Sequence, residues 1–88
     1  MKPYTWSLER EVLLAMFQFS SRDNRRTVDA AEFLARHPFQ PGHLNYRDGD
    51  DREIRVYFAD HLAIHYCIEH AVREVRIVSI QENLPIVP

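Results

Sequence analysis

The spacing of apolar residues changes once along this chain, and that change limits the possible folds more than any other feature. Before residue 40, apolar side chains recur at helical intervals; from Arg52 onward they alternate with polar ones at a period of two. Ile54, Val56 and Phe58 alternate with Arg55 and Tyr57, and Leu62, Ile64, Tyr66 and Ile68 alternate with Ala63, His65 and Cys67. Val72 to Ile80 is a third β-branched run. The breaks between these runs, Ala59-Asp60-His61 and Glu69-His70-Ala71, are too short for a parallel crossover, so the three strands form an antiparallel meander.

The first half predicts two amphipathic helices. Tyr4–Trp6 reads as a short strand ending at Ser7, an N-cap with Glu9 and Glu11 in the following turn. Leu8, Val12, Met16 and Phe19 then place a first helix over about Leu8–Phe19. The apolar residues of both helices read most simply as core, although Leu13 and Phe17 beside that stripe allow one exposed apolar strip for a partner. After the polar break Ser20–Asn24, Asp23 or Asn24 caps a second helix with Val28, Ala31, Leu34 and Ala35 on its apolar face, ending at His37 before Pro38. Pro38–Gly42 and Asp48–Asp51 are the strongest turn signals; a loop or short extended piece lies between them. The fold class is α+β in the order β-α-α-β-β-β, two N-terminal helices packed on a twisted antiparallel sheet, with residues 81–88 as a tail. Ile64, Tyr66, Val75 and Ile77 should lie beneath the helices.

The 88 residues suffice for one domain, 1–88, and its composition (45% hydrophobic, 27% charged) is that of a packed globular chain. Small domains without staples net only a few kcal/mol, so a partner or self-association as a homodimer would add stability. Cys67 is the only cysteine, which excludes an intramolecular disulfide and suits a reducing compartment. The N-terminus shows no signal-peptide pattern and no segment approaches membrane-spanning length, giving a cytoplasmic expectation without membrane contact. Thirteen acidic residues against eleven Lys and Arg leave a formal charge of −2, so binding a polyphosphate would need a local basic face.

The element order resembles the RelE/ParE toxin superfamily. So do Tyr4-Thr5-Trp6-Ser7 entering the first helix, Ala30-Ala31, the turn at Pro38, and Ala63-Ile64-His65-Tyr66 before Val75-Arg76-Ile77-Val78. The resemblance implies a toxin of a bacterial type II toxin–antitoxin system, with a cognate antitoxin as partner. It further implies a cellular target, either messenger RNA cut on the ribosome or DNA gyrase. RelE-type sites resemble a basic set with a late Tyr. Arg52 and Arg55 match its second-strand basic pair with spacing changed by one residue, Ala63 stands where an Arg is expected, and Gln81-Glu82-Asn83 replace the late Arg.

RNA cleavage through a 2′-hydroxyl needs a base, an acid and positive charge on the phosphate. The candidates are Arg52 and Arg55 for charge, and His61 and His65, four apart on one strand, for proton transfer. The spacing of His61, His65 and His70 matches no tight zinc motif, and Asp48–Asp51 lacks the closing Glu of a calcium loop, so neither metal nor cofactor is expected. Arg73 and Arg76 on the last strand read as a partner-binding edge or as the charged guard of an edge strand. Leu84, Ile86 and Val87, set among prolines, are further partner-binding candidates.

Overall fold

In the computed structural model, which describes residues 3–82, the chain runs β1 (Thr5–Leu8), α1 (Arg10–Met16), α2 (Ser21–Arg36), β2 (Leu44–Arg47), β3 (Glu53–Ala59), β4 (Leu62–Glu69) and β5 (Glu74–Glu82). One five-stranded sheet has the order β1-β5-β4-β3-β2. The meander β3-β4-β5 is antiparallel as its short turns require, but β1 pairs with β5 in parallel, so the sheet is mixed rather than wholly antiparallel. The two helices carry the chain from the edge strand β1 to the opposite edge strand β2, and the meander then returns it to lie beside β1, which gives the long connection that a parallel pair needs. This pairing also puts β5 inside the sheet, so Arg73 and Arg76 do not lie on an edge; the edges are β1 and β2.

Several boundaries differ from the sequence expectation for identifiable reasons. Ser7 does not cap α1, because the parallel ladder continues through Ser7↔Arg76 and Leu8↔Ile77, and the Glu9 amide still donates to the Ile77 carbonyl at 3.0 Å. Helix α1 therefore starts at Arg10 and keeps only seven residues. Helix α2 begins earlier than expected, since Ser20 rather than Asp23 or Asn24 is its cap: the Ser20 hydroxyl accepts from the Asp23 amide at 3.1 Å. The piece between the two turn signals is a strand, β2, paired with β3 from Leu44↔Val56 to Arg47↔Glu53.

The helices cover one face of the sheet. Val12 of α1 and Ala30, Ala31, Leu34 and Ala35 of α2 pack on Leu62, Ile64, Tyr66, Val75 and Ile77, all buried. The four strand residues expected in the core are therefore there, each without solvent exposure. A register shift between His65 and Tyr66 leaves Val78 without a strand partner, so the covered positions on β5 pass from Val75 and Ile77 to Ile80. On β3 the covered face is taken by Tyr57 and Ala59, and Ile54, Val56 and Phe58 turn to the face that bears no helix.

Candidate functional site

That second face carries a groove of about 480 Å³ crossing four strands, lined by Leu44, Asn45 and Tyr46 of β2, Val56 and Phe58 of β3, Ala63 and His65 of β4, and Gln81 and Glu82 of β5. Period-two alternation puts the side chains of Leu44, Tyr46, Val56, Phe58, Ala63, His65 and Gln81 on one surface, while Asn45 and Glu82, paired with Arg55 and Leu62 of the covered face, border it; the small Ala63 leaves the depression in its floor. Across the groove the Tyr46 hydroxyl lies 2.8 Å from His65 Nδ1, with the rings edge to face at 5.7 Å, tying β2 to β4 over the intervening strand. Burial pushes His65 below the ordinary histidine range, so its imidazole is neutral at neutral pH. No Lys or Arg lines the groove, and the one charged residue at its border is Glu82.

The other candidate residues lie elsewhere. Val56↔His65 and Arg55↔Tyr66 are adjacent pairs of one ladder, so Arg55 and His65 point to opposite faces. Arg55 lies under the α2–β2 loop, where its guanidinium donates to the Gln40 carbonyl at 3.1 Å and lies 3.6 Å from Glu53. Gln40 in turn donates its amide to the Tyr66 hydroxyl at 3.1 Å.

Arg52 is held between Asp48 (2.8 Å) and Glu9 (3.1 Å). Its hydrogen bonds to these carboxylates raise the guanidinium above its usual range, and the amide and guanidinium of Arg52 hold Asp48 below the carboxylate range.

His61 is not on the strand but in the β3–β4 turn, and therefore does not share a face with His65. Its Nε2 lies 3.1 Å from the Asp23 carboxylate of α2, which Arg26 also contacts at 3.4 Å while reaching Asp60 at 2.8 Å. His70, the third histidine of the rejected zinc reading, has its Nδ1 2.7 Å from the Tyr4 hydroxyl, so the three histidines each have a separate partner.

The expected four-residue catalytic set is thus not assembled. Arg76 pairs with Glu74 at 2.9 Å, which raises its guanidinium above the usual range. Arg73 occupies the β4–β5 turn in a left-handed conformation, φ 53°, and its carbonyl accepts from the Thr5 amide at 3.0 Å. Leu84, Ile86 and Val87 lie outside the described residues. Burial raises the Cys67 thiol, an inert setting for it.

The sequence reading missed Leu44, Tyr46, Phe58, Gln81 and Glu82 as groove residues. The signal was present for two of them: Leu44-Asn45-Tyr46-Arg47 alternates apolar and polar between two turns, the pattern of a short strand. Leu13 and Leu14 of α1 and its C-cap residue Phe17 are also exposed, so the strip that the sequence allowed there is uncovered and Leu13 and Phe17 are not core.

No family model and no curated protein matches the sequence. Among solved structures, a chain in the crystal structure of the archaeal RelE–RelB complex from Pyrococcus horikoshii OT3 superposes with a TM-score of 0.72 at 12% identity, covering 94% of this chain and 97% of that one. The chain has a RelE-like fold. At that identity the likeness shows the arrangement of elements alone, and its archaeal source means the fold is not confined to bacteria. No helix among the described residues is long and apolar enough to cross a membrane.

Proposed function

We propose that this protein is the toxin-fold member of a type II toxin–antitoxin pair and that its principal act is to bind another protein, first an antitoxin and then a cellular target. The observation that carries this reading is the contrast between its charges and its groove. Arg52, Arg55 and Arg76 are each engaged by a carboxylate or a carbonyl, whereas the groove is apolar, open and free of basic side chains. Stabilising a pentavalent phosphate requires positive charge where the phosphate sits, and no Lys or Arg lines the groove. An apolar depression with a few polar groups on its rim suits a polypeptide. The RelE-like fold supports the antitoxin as that polypeptide, since the solved relative is a RelE–RelB complex.

Co-expression with the product of a short neighbouring gene tests the reading. A stable complex on purification, with growth arrest when this chain is induced alone and relief by the second protein, is the expected result. Ribosome-bound message cut at defined codon positions by the wild type, and left intact by Arg55→Ala, would instead make the protein a ribonuclease.

A further inference from the structure

We infer that the exposed edge of β2 is the docking site for an extended segment of a protein partner, which adds to the sheet as a sixth strand antiparallel to β2 and enters with a basic residue. This rests on the protein-binding reading and assigns a place and a chemistry to the contact.

The hydrogen-bond pattern of β2 defines which backbone groups are available. The Asp48 amide donates to the Arg52 carbonyl at 3.1 Å, and the His43 amide to the Val56 carbonyl at 2.8 Å. With the register Leu44↔Val56 and Tyr46↔Ile54, antiparallel alternation turns the amides and carbonyls of Leu44 and Tyr46 toward β3 and those of Asn45 and Arg47 outward. Two donors and two acceptors therefore face solvent at the spacing an incoming strand needs.

All four residues of β2 are exposed, and its two apolar side chains, Leu44 (58%) and Tyr46 (44%), stand on the groove side. An added strand would lay every second side chain beside them and lengthen the groove wall. Edges left this way are normally guarded by charge, a bulge or a covering loop. Here Arg47 is the only charged residue on the strand, and it leans back on Asp51, its guanidinium donating to that residue's carbonyl at 2.9 Å.

Charge selects the occupant. The segment 47–53 holds Asp48, Asp50, Asp51 and Glu53 against Arg47 and Arg52, two more negative charges than positive. An antiparallel partner presents its N-terminal end to that tip, so the matching segment has Lys or Arg followed by alternating aliphatic residues.

The test uses the full chain and a synthetic peptide of two lysines followed by alternating valine and threonine, read by amide exchange in solution. The expected result is that the Asn45 and Arg47 amides slow by about tenfold or more when peptide is added at millimolar concentration. A peptide opening with two glutamates, or one N-methylated on the amides that would face β2, should produce no such slowing. Asn45→Pro should abolish it on the protein side while leaving the Leu44 and Tyr46 bonds to β3 in place. If that variant does not fold, the N-methylated peptide against the wild-type chain still decides.

Several results would overturn the assignment. These are equal protection by the N-methylated peptide, protection confined to α1 around Leu13 and Phe17, no protection at millimolar peptide, or protection of Asn45 and Arg47 that rises with protein concentration alone and marks a second copy on the edge. An antitoxin that binds Asn45→Pro as tightly as the wild type removes the edge assignment and leaves the protein-binding reading standing. Failure of any neighbouring gene product to bind the wild type removes that reading alone, because the peptide experiment stands without it.

Discussion

The two faces of the sheet are made from the same strands with similar side chains, yet they differ in what holds them. On the helix side Ile64, Tyr66, Val75 and Ile77 are sealed beneath Val12, Ala31 and Leu34, and no charged side chain belongs to that core cluster. On the other side Ile54, Val56, Ala63 and Cys67 are also buried but belong to no helix-covered cluster; around them lie Tyr46 and His65, bonded to each other, and Arg52 and Arg76, paired with Asp48 and Glu74. A sheet with apolar residues on both faces and helices on one keeps its stability on the covered side and its capacity for contact on the other.

The largest expected effect sharpens that division. Ile64→Ala on the covered face should cost roughly 2–5 kcal/mol, because a fully buried aliphatic side chain leaves a cavity under the helices. Leu44→Ala on the open face should stay within about 0.5 kcal/mol, as exposed substitutions do. Urea unfolding of both variants measures the difference. Similar losses would mean that the open face is already covered by another layer in solution, and the two-face contrast would fail.

The junction between the faces gives the next effect. Gly42 closes the α2–β2 loop at φ +75°, and a Cβ there would lie 3.1 Å from the Tyr66 hydroxyl and 3.2 Å from the Val56 carbonyl oxygen. Both the left-handed backbone and the crowding oppose a side chain, so Gly42→Ala should cost about 1–3 kcal/mol. The loop bearing Gln40 should shift with it, exposing Arg55, whose guanidinium donates to the Gln40 carbonyl. Increased tyrosine exposure together with the lower unfolding midpoint would register both consequences.

The covered face was readable in the sequence because burial leaves a periodic record: Leu62, Ile64 and Tyr66 alternate, and Ala31, Leu34 and Ala35 recur at helical spacing. The parallel pairing of β1 was not readable, since a four-residue strand carries no sign of its partner, and that pairing alone moved β5 from the edge to the interior and shortened α1. The site was less legible still. His61 and His65 are four apart in number, but two positive-φ residues, Asp60 and Asp51, tighten the turns flanking β3, and in one of these turns His61 is drawn to the helix residue Asp23. Register likewise decided the fate of Arg55: a residue next to Val56 in sequence is on the other side of the sheet from His65.

The smallest expected effect separates the faces by pH. His65, on the open face, has a folded-state pKa lowered by burial from the ordinary 6.5, so the unfolded chain binds a proton there more readily than the folded one. Its contribution is therefore intact above about pH 6.5 and declines as the pH falls through and below that value. Asp48 is lowered in the same direction from 3.8, chiefly by the Arg52 amide, and its contribution is present above 3.8 and lost only in stronger acid as its carboxylate takes up a proton. The covered core cluster holds no histidine or carboxylate that titrates between these two windows. Unfolding midpoints measured from pH 7.5 down to pH 5 should accordingly fall for the wild type, and fall less for His65→Gln, while Ile64→Ala should parallel the wild type at a lower level. Identical slopes for wild type and His65→Gln would show that His65 is equally solvated in the folded and unfolded chain. The Tyr46–His65 strap would then be too weak to shape the groove, and a partner would have to be recognised by the β2 edge and the acidic hairpin tip alone.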